Sequence, residues 1–194
     1  MSFNMKLLIE ELVVDEGLRL KAYRCTAGKA TIGIGRNFED VPFTREESLA
    51  IFNKPEVSFK EAIKKLADTG ITKDQAFMLL QNDINKCVKQ LEKHSFWDSV
   101  KEDDAKSRAI INLCFNLGIN GLLTFKNTLK FIEEKDWENA AANLEKSLWF
   151  KQVKSRAIRV IKNLYPEYGQ PKTIKSVSEV LPAPKSKSVI KKSV

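Results

Sequence analysis

Residues 15–35 read Asp15-Glu-Gly-Leu-Arg-Leu-Lys-Ala-Tyr-Arg-Cys-Thr-Ala-Gly-Lys-Ala-Thr-Ile-Gly-Ile-Gly35, and this stretch decides how the rest of the chain is arranged. A helix starting at about Phe3 is predicted to run into it and stop at Gly17, because glycine is the residue that most readily closes a helix. From Lys21 to Gly35 the composition turns to Tyr, Thr, Ile and Gly, which predicts a small hairpin. Glu16 therefore stands at a helix C-terminus. There the negative end of the helix dipole disfavours a carboxylate and favours the protonated group that a general acid needs. Cys25 and Thr31 share one face of the hairpin if the connection is the five residues Thr26 to Ala30, centred on Gly28. A four-residue connection sets them on opposite faces.

Outward from this stretch the chain reads mostly as helix. Thr44-Arg-Glu-Glu47 and Thr72-Lys-Asp-Gln75 are capping boxes, in which a threonine hydroxyl and an acid or amide three residues on satisfy each other's free backbone donors. From Lys73 to Leu91, Phe77, Leu80, Ile84, Cys87, Val88 and Leu91 recur at intervals of three and four, predicting one long helix with Cys87 in its buried stripe. Ala105 to Leu117 has almost no polar face and predicts a central, nearly surrounded helix. Asp136 is expected to cap the next helix and Ser155 the last, which ends near Tyr165-Pro166. The fold class expected is α+β and mainly helical. A small N-terminal β-hairpin lobe (about 15–70) and a helical lobe (about 71–169, with the first helix) are joined by the long helix and leave a cleft between them.

A chain of 194 residues, 43% hydrophobic and 30% charged, supports one domain or two small lobes. The first apolar run, Leu7-Leu8-Ile9, is cut at once by Glu10 and Glu11, far short of the roughly 18 apolar residues of a membrane span. The same cut leaves no signal-peptide core. Three cysteines without a C-x-x-C pair and a single histidine, His94, expected at the surface, argue against a disulfide framework or metal site. No metal or cofactor is predicted. The net charge of +8 is concentrated: residues 170–194 hold six lysines against Glu179, together with three prolines, five serines and no aromatic residue. That segment reads as a basic, Pro/Ser/Lys-rich extended arm. Single-strand nucleic-acid binding wants aromatics for stacking, so nucleic acid is not the expected partner. Gly33-Ile-Gly35 is no dinucleotide fingerprint, since Phe38 stands where the third glycine belongs.

The 15–35 stretch closely resembles the active-site segment of the T-even phage lysozymes, family twenty-four of the glycoside hydrolases. The similarity continues through Ile71-Thr-Lys-Asp-Gln-Ala76, Gln81-Asn-Asp83, Asn112-Leu-Cys-Phe-Asn-Leu-Gly118, Phe125-Lys-Asn-Thr-Leu129, Trp137 to Asn143 and Trp149, and Arg156-Ala-Ile-Arg-Val-Ile161. It covers about residues 3–165 and leaves the arm unexplained. The resemblance implies a lysozyme-like two-lobe fold. It also implies an endo-β-1,4-N-acetylmuramidase that cuts peptidoglycan between N-acetylmuramic acid and N-acetylglucosamine. The phage would use it for host lysis or wall penetration. By the same resemblance Glu16, Cys25 and Thr31 are the catalytic set, and Asn37, Phe115, Thr128 and Asn143 line the sugar cleft. Arg156 packs near Glu16 and Asp15, and Arg36 pairs with Asp83.

Cys25 stands where the best-known member of that family has aspartate. A thiol of ordinary pKa, about 8.5, is only about a few per cent ionised at pH 7, so a cationic neighbour such as Arg24 or Lys29 is expected beside it. Loss of the chemistry through Cys25 is the alternative, which would leave a wall-binding or virion structural module. A basic protein is drawn to the polyanionic wall by long-range attraction. The arm at 170–194 is expected to dock on phage tail or baseplate proteins if the enzyme travels in the virion; otherwise it acts from the host cytoplasm on the cell wall.

Overall fold

The computed structural model describes residues 3–170, so the arm read at 170–194 lies, but for Gln170, outside the described residues. The chain begins with helix α1 (Met5–Glu16). A three-stranded antiparallel sheet follows, made of β1 (Arg19–Arg24), β2 (Ala30–Gly33) and β3 (Arg36–Asn37) in that order. Next come α2 (Arg45–Phe52), α3 (Phe59–Asp68) and the long α4 (Lys73–Leu91), then α5 (Ser95–Asp98) and α6 (Asp104–Leu122). The chain closes with α7 (Lys126–Glu133), α8 (Trp137–Glu145), α9 (Leu148–Val153) and α10 (Ser155–Leu164). Among the described residues no single helix is long and apolar enough to cross a membrane.

Both capping boxes form: Thr44 with Glu47 opens α2, and Thr72 with Gln75 opens α4. The expected span of the long helix is met, and Asp136 accepts the Asn139 amide at the start of α8. Other expectations are corrected. The central helix passes Leu117 and continues to Leu122 beyond a break at Gly118, whose φ of 68° is not helical. The last helix has no side-chain cap; Ser155 is its first helical residue, and Lys154 before it has φ 33°. His94 is half-buried, its ring stacked on Phe96.

Two hydrophobic cores fill this α+β, mainly helical, two-lobe fold. The small one gathers Ala30 and Ile32 of β2 with Phe38 and residues of α2, α3 and the start of α4. The large one gathers Leu8 and Leu12 of α1 with α6, where Ala109, Ile110, Ile111, Leu113 and Cys114 are all buried, and with α7, α8 and α10. Helix α4 serves both cores: Ala76 and Leu79 enter the small one, and Leu80, Ile84, Val88 and Leu91 the large one. Full burial of one such aliphatic side chain stabilises the fold by about 1.5–3 kcal/mol, so α4 is fastened at both ends.

Candidate active site

Helix α1 ends at Glu16 because Gly17 takes φ 73° and returns its amide to the Val13 carbonyl. Two acidic residues at that end are held by the last helix. Arg156 Nη1 donates to Glu16 Oε1 at 2.6 Å, and its Nε lies 3.4 Å from Asp15. Asn112 of α6 completes the clamp. Its carbonyl side-chain oxygen accepts from Arg156 Nε at 2.8 Å, and its amide donates to Asp15 at 3.0 Å. Arg159 reaches the other Asp15 oxygen. Asp15 and Arg156 are almost wholly buried, but the Glu16 side chain keeps 23% of its surface exposed. Its other oxygen, Oε2, lies 3.0 Å from where a Cβ on Gly35 would stand, and Gly35 has φ 73°. Only glycine suits this backbone, and any side chain there would press on the carboxylate.

The hairpin turn is shorter than the five-residue connection. Cys25 bonds Lys29 across the turn, its amide donating to the Lys29 carbonyl at 3.0 Å, and the loop is the three residues Thr26 to Gly28. Gly28, with φ 76°, closes it. The shift is by two residues, so the parity is kept. Thr31 pairs with Tyr23, Cys25 lies two residues along from Tyr23, and all three side chains fall on one face.

The Cys25 thiol is held below its ordinary value. The backbone amide of Lys29 contributes most, with the Ala27 amide and the Thr31 hydroxyl adding to it against the cost of burial. The expected cation is replaced by these donors, because Arg24 and Lys29 are turned elsewhere. Arg24 bonds Glu39 at 2.9 Å and the Gly28 carbonyl at 2.8 Å, and Lys29 bonds Asp40 at 2.8 Å. Glu39 also accepts the Ala30 amide at 3.1 Å and so clasps both strands of the hairpin.

Tyr23 was not singled out by the sequence, although its place two residues before Cys25 on a strand is the signal. Burial pushes its phenol up first, Arg19 over the ring at 4.3 Å pulls it down, and the charges of Glu16 and Cys25 push it up again. Tyr23 is therefore within electrostatic reach of both.

Gly35, under Glu16, also lines a cleft of about 670 Å³ between the hairpin side, α4 and the broken part of α6. Asn37 and Phe115 line it as well. So do Cys87 and Cys114; Cys87 packs against the large core as expected, but it is half-buried and its other side forms cleft wall. Thr128 and Asn143 lie elsewhere, bonded to each other, with the Thr128 hydroxyl 2.9 Å from Asn143 and almost wholly buried. Behind the cleft Arg36 is buried. It bonds Asp83 at 2.6 Å and grips Glu47 with both terminal nitrogens at 3.1 and 2.9 Å. Burial pushes Glu47 up, but Arg36, Asn82 and the Thr44 amide outweigh it and leave the group below its usual range. No cluster of potential metal ligands occurs among the described residues.

Residues 14–164 match the family described as phage lysozyme. The chain is 34% identical over 153 residues to "Probable T4-type lysozyme 1" of Dictyostelium discoideum, covering 77% of this chain and 88% of that protein. It is 30% identical over 156 residues to "Probable T4-type lysozyme 2" of the same organism, covering 79% and 91%. It is also 33% identical over 159 residues to the pre-baseplate central spike protein Gp5 of Enterobacteria phage T4, covering 79% of this chain and 26% of that longer protein.

Proposed function

The chain belongs to the phage lysozyme family, and on that premise we propose that it is an endo-β-1,4-N-acetylmuramidase of bacterial peptidoglycan, with Glu16, Cys25 and Thr31 as its catalytic residues. The observation that carries the proposal is the division of Glu16. One oxygen is fixed by Arg156, and the other lies against Gly35, which lines the cleft, while the hairpin carries on one face a thiol held below its ordinary pKa and a hydroxyl. In this reading Glu16 Oε2 gives its proton to the glycosidic oxygen as the bond to C1 breaks. A water held by the Thr31 hydroxyl adds to C1 from the opposite side and passes a proton to the Cys25 thiolate. Solvent then returns the proton balance. Acid on one side and base on the other make an inverting hydrolase. Asn37 and Phe115 contact the sugar in the cleft, whereas Thr128, buried against Asn143, supports the fold behind it.

Glu16→Gln is expected to abolish clearing of a cell-wall suspension while leaving the melting temperature within a degree or two. Retained clearing would end the proposal, and walls that pellet with the wild-type protein but never clear would establish a binding module instead. The first product should carry inverted anomeric configuration; retention would replace water attack by a covalent step on Cys25.

The pH profile tests the thiol separately. Because the thiolate is the working form and its pKa is lowered, activity should rise with pH through a midpoint below the ordinary thiol value of about 8.5. In Cys25→Asp that acid limb should move to the carboxylate range, about 4, and iodoacetamide should no longer inactivate. An unmoved limb removes Cys25 from the mechanism.

We further propose that the enzyme acts in wall penetration from the virion, a reading supported by its similarity to a pre-baseplate central spike protein. Mass spectrometry of purified virions should then find this chain, and its absence there would assign it to lysis.

A further inference from the structure

The mechanism above uses Cys25 and leaves two other thiols idle, and those two meet. Cys87 stands on α4 and Cys114 on α6, where the two helices pack together at the large core. Both line the cleft, Cys114 buried and Cys87 half-buried. The sulfurs share a hydrogen bond in which Cys87 donates to Cys114. That bond draws Cys114 below the ordinary thiol range against the cost of its burial. The same bond, and then burial, push Cys87 up. One proton therefore leaves the pair readily while the other is retained between the sulfurs. Asp83, one turn before Cys87, is engaged by Arg36. No third ligand joins the two sulfurs in a metal-binding group among the described residues, so the place offers a pair of thiols.

We propose that Cys87 and Cys114 form a reversible disulfide site, oxidised by a small-molecule disulfide that enters the cleft, whose bond ties α4 to α6 at the cleft wall. The more open partner reacts first. Cys87, as thiolate once the shared proton has passed to Cys114, attacks one sulfur of the reagent, forms a mixed disulfide and releases a thiolate. Cys114 then gives its proton to that thiolate, attacks the Cys87 sulfur and expels the second thiolate, which takes a proton from solvent. Two cysteine thiols are oxidised to one disulfide, and one reagent disulfide is reduced to two thiols. The bond stays open in a reducing compartment and closes in an oxidising one. Cys25, on the hairpin, is then the one cysteine left free. The proposal goes beyond the muramidase reading and does not depend on it, because the bond is detected by mass rather than by activity.

The test treats the full-length, folded protein with excess oxidised glutathione, blocks the remaining thiols with iodoacetamide in denaturant, and maps the tryptic peptides by mass spectrometry. The Cys87 and Cys114 peptides should be joined, lighter by two hydrogens, and dithiothreitol should separate them. Both cysteines alkylated, Cys87 left capped by glutathione, or a bridge from either one to Cys25 would each overturn the proposal. A thermal readout stands beside the map. In Cys25→Ser, which removes the third thiol, oxidation should raise Tm by about 5–10 °C, because the bridge closes a loop of roughly thirty residues in the unfolded chain. Cys87→Ala and Cys114→Val, each made in that background, should lose the shift. A shift that survives in either variant, or a bridge that leaves Tm unchanged, overturns the tie between α4 and α6. Wild-type protein that forms the bridge yet clears no cell wall in either redox state overturns the muramidase reading alone and leaves the disulfide site standing.

Discussion

Between Glu39 and Glu61 five carboxylates, those of Glu39, Asp40, Glu46, Glu47 and Glu61, are held below their ordinary range by hydrogen bonds and cations. In the helical lobe Asp103 is the one such group resolved among the described residues. The helical lobe rests on a large apolar core, whereas the small lobe supplements ten buried apolar residues with the buried Arg36–Glu47–Asp83 cluster and the Glu39 clasp. A three-residue turn at the surface, flanked by the half-buried Cys25, offers little apolar area to bury. Directional polar bonds fix it at its base and leave its face open. The helical lobe has the opposite task, to hold Arg156 and Asn112 rigid behind Glu16, and close packing does that best.

Three measurements would break or sharpen this contrast. Arg36→Met strands two buried carboxylates and should cost about 3–5 kcal/mol of unfolding free energy. A loss below about 1 kcal/mol would show that the ion cluster is not what holds the small lobe. Ile111→Ala in the large core should cost about 2–4 kcal/mol, independent of salt and pH, by denaturant titration. The smallest effect is that of acid. A carboxylate with a lowered folded pKa lends stability that is complete above its unfolded pKa and is lost as pH falls through the folded value. Glu39, Asp40, Glu47 and Glu61 therefore withdraw support from the small lobe below about pH 4. Asp83 opposes them, because burial raises its pKa and its protonation favours the fold at low pH. Amide exchange at pH 3 should accelerate in β1 and β2 before α6; simultaneous acceleration would mean that the two lobes share one source of stability.

Much of this was readable from local chemistry. The capping boxes, the three-and-four spacing along α4 and the Gly17 stop are all written within a few residues of where they act. The hairpin register was not, because it depends on whether Gly28 closes a three-, four- or five-residue turn, of which the first and last keep Cys25 and Thr31 on one face. The first strand residues of β3, Arg36 and Asn37, are too few to give an alternating pattern. Gly118 looked like an end and is a break, since α6 resumes beyond it against Leu122 of the core. Ser155 looked like a cap, but the left-handed Lys154 leaves it inside the helix. The family resemblance named Glu16, Cys25 and Thr31, but the chief donor that acidifies Cys25 is the backbone amide of Lys29, which no side-chain pattern can announce.

The clamp on Glu16 also sets a clock. Glu16 leaves the ribosome long before the guanidinium that fixes it, which lies 140 residues downstream, and the Arg159 partner of Asp15 comes later still. A nascent chain, or one cut before α10, carries Glu16 without the group that orients it. The cell that makes this protein therefore holds an unassembled clamp until α10 has been synthesised.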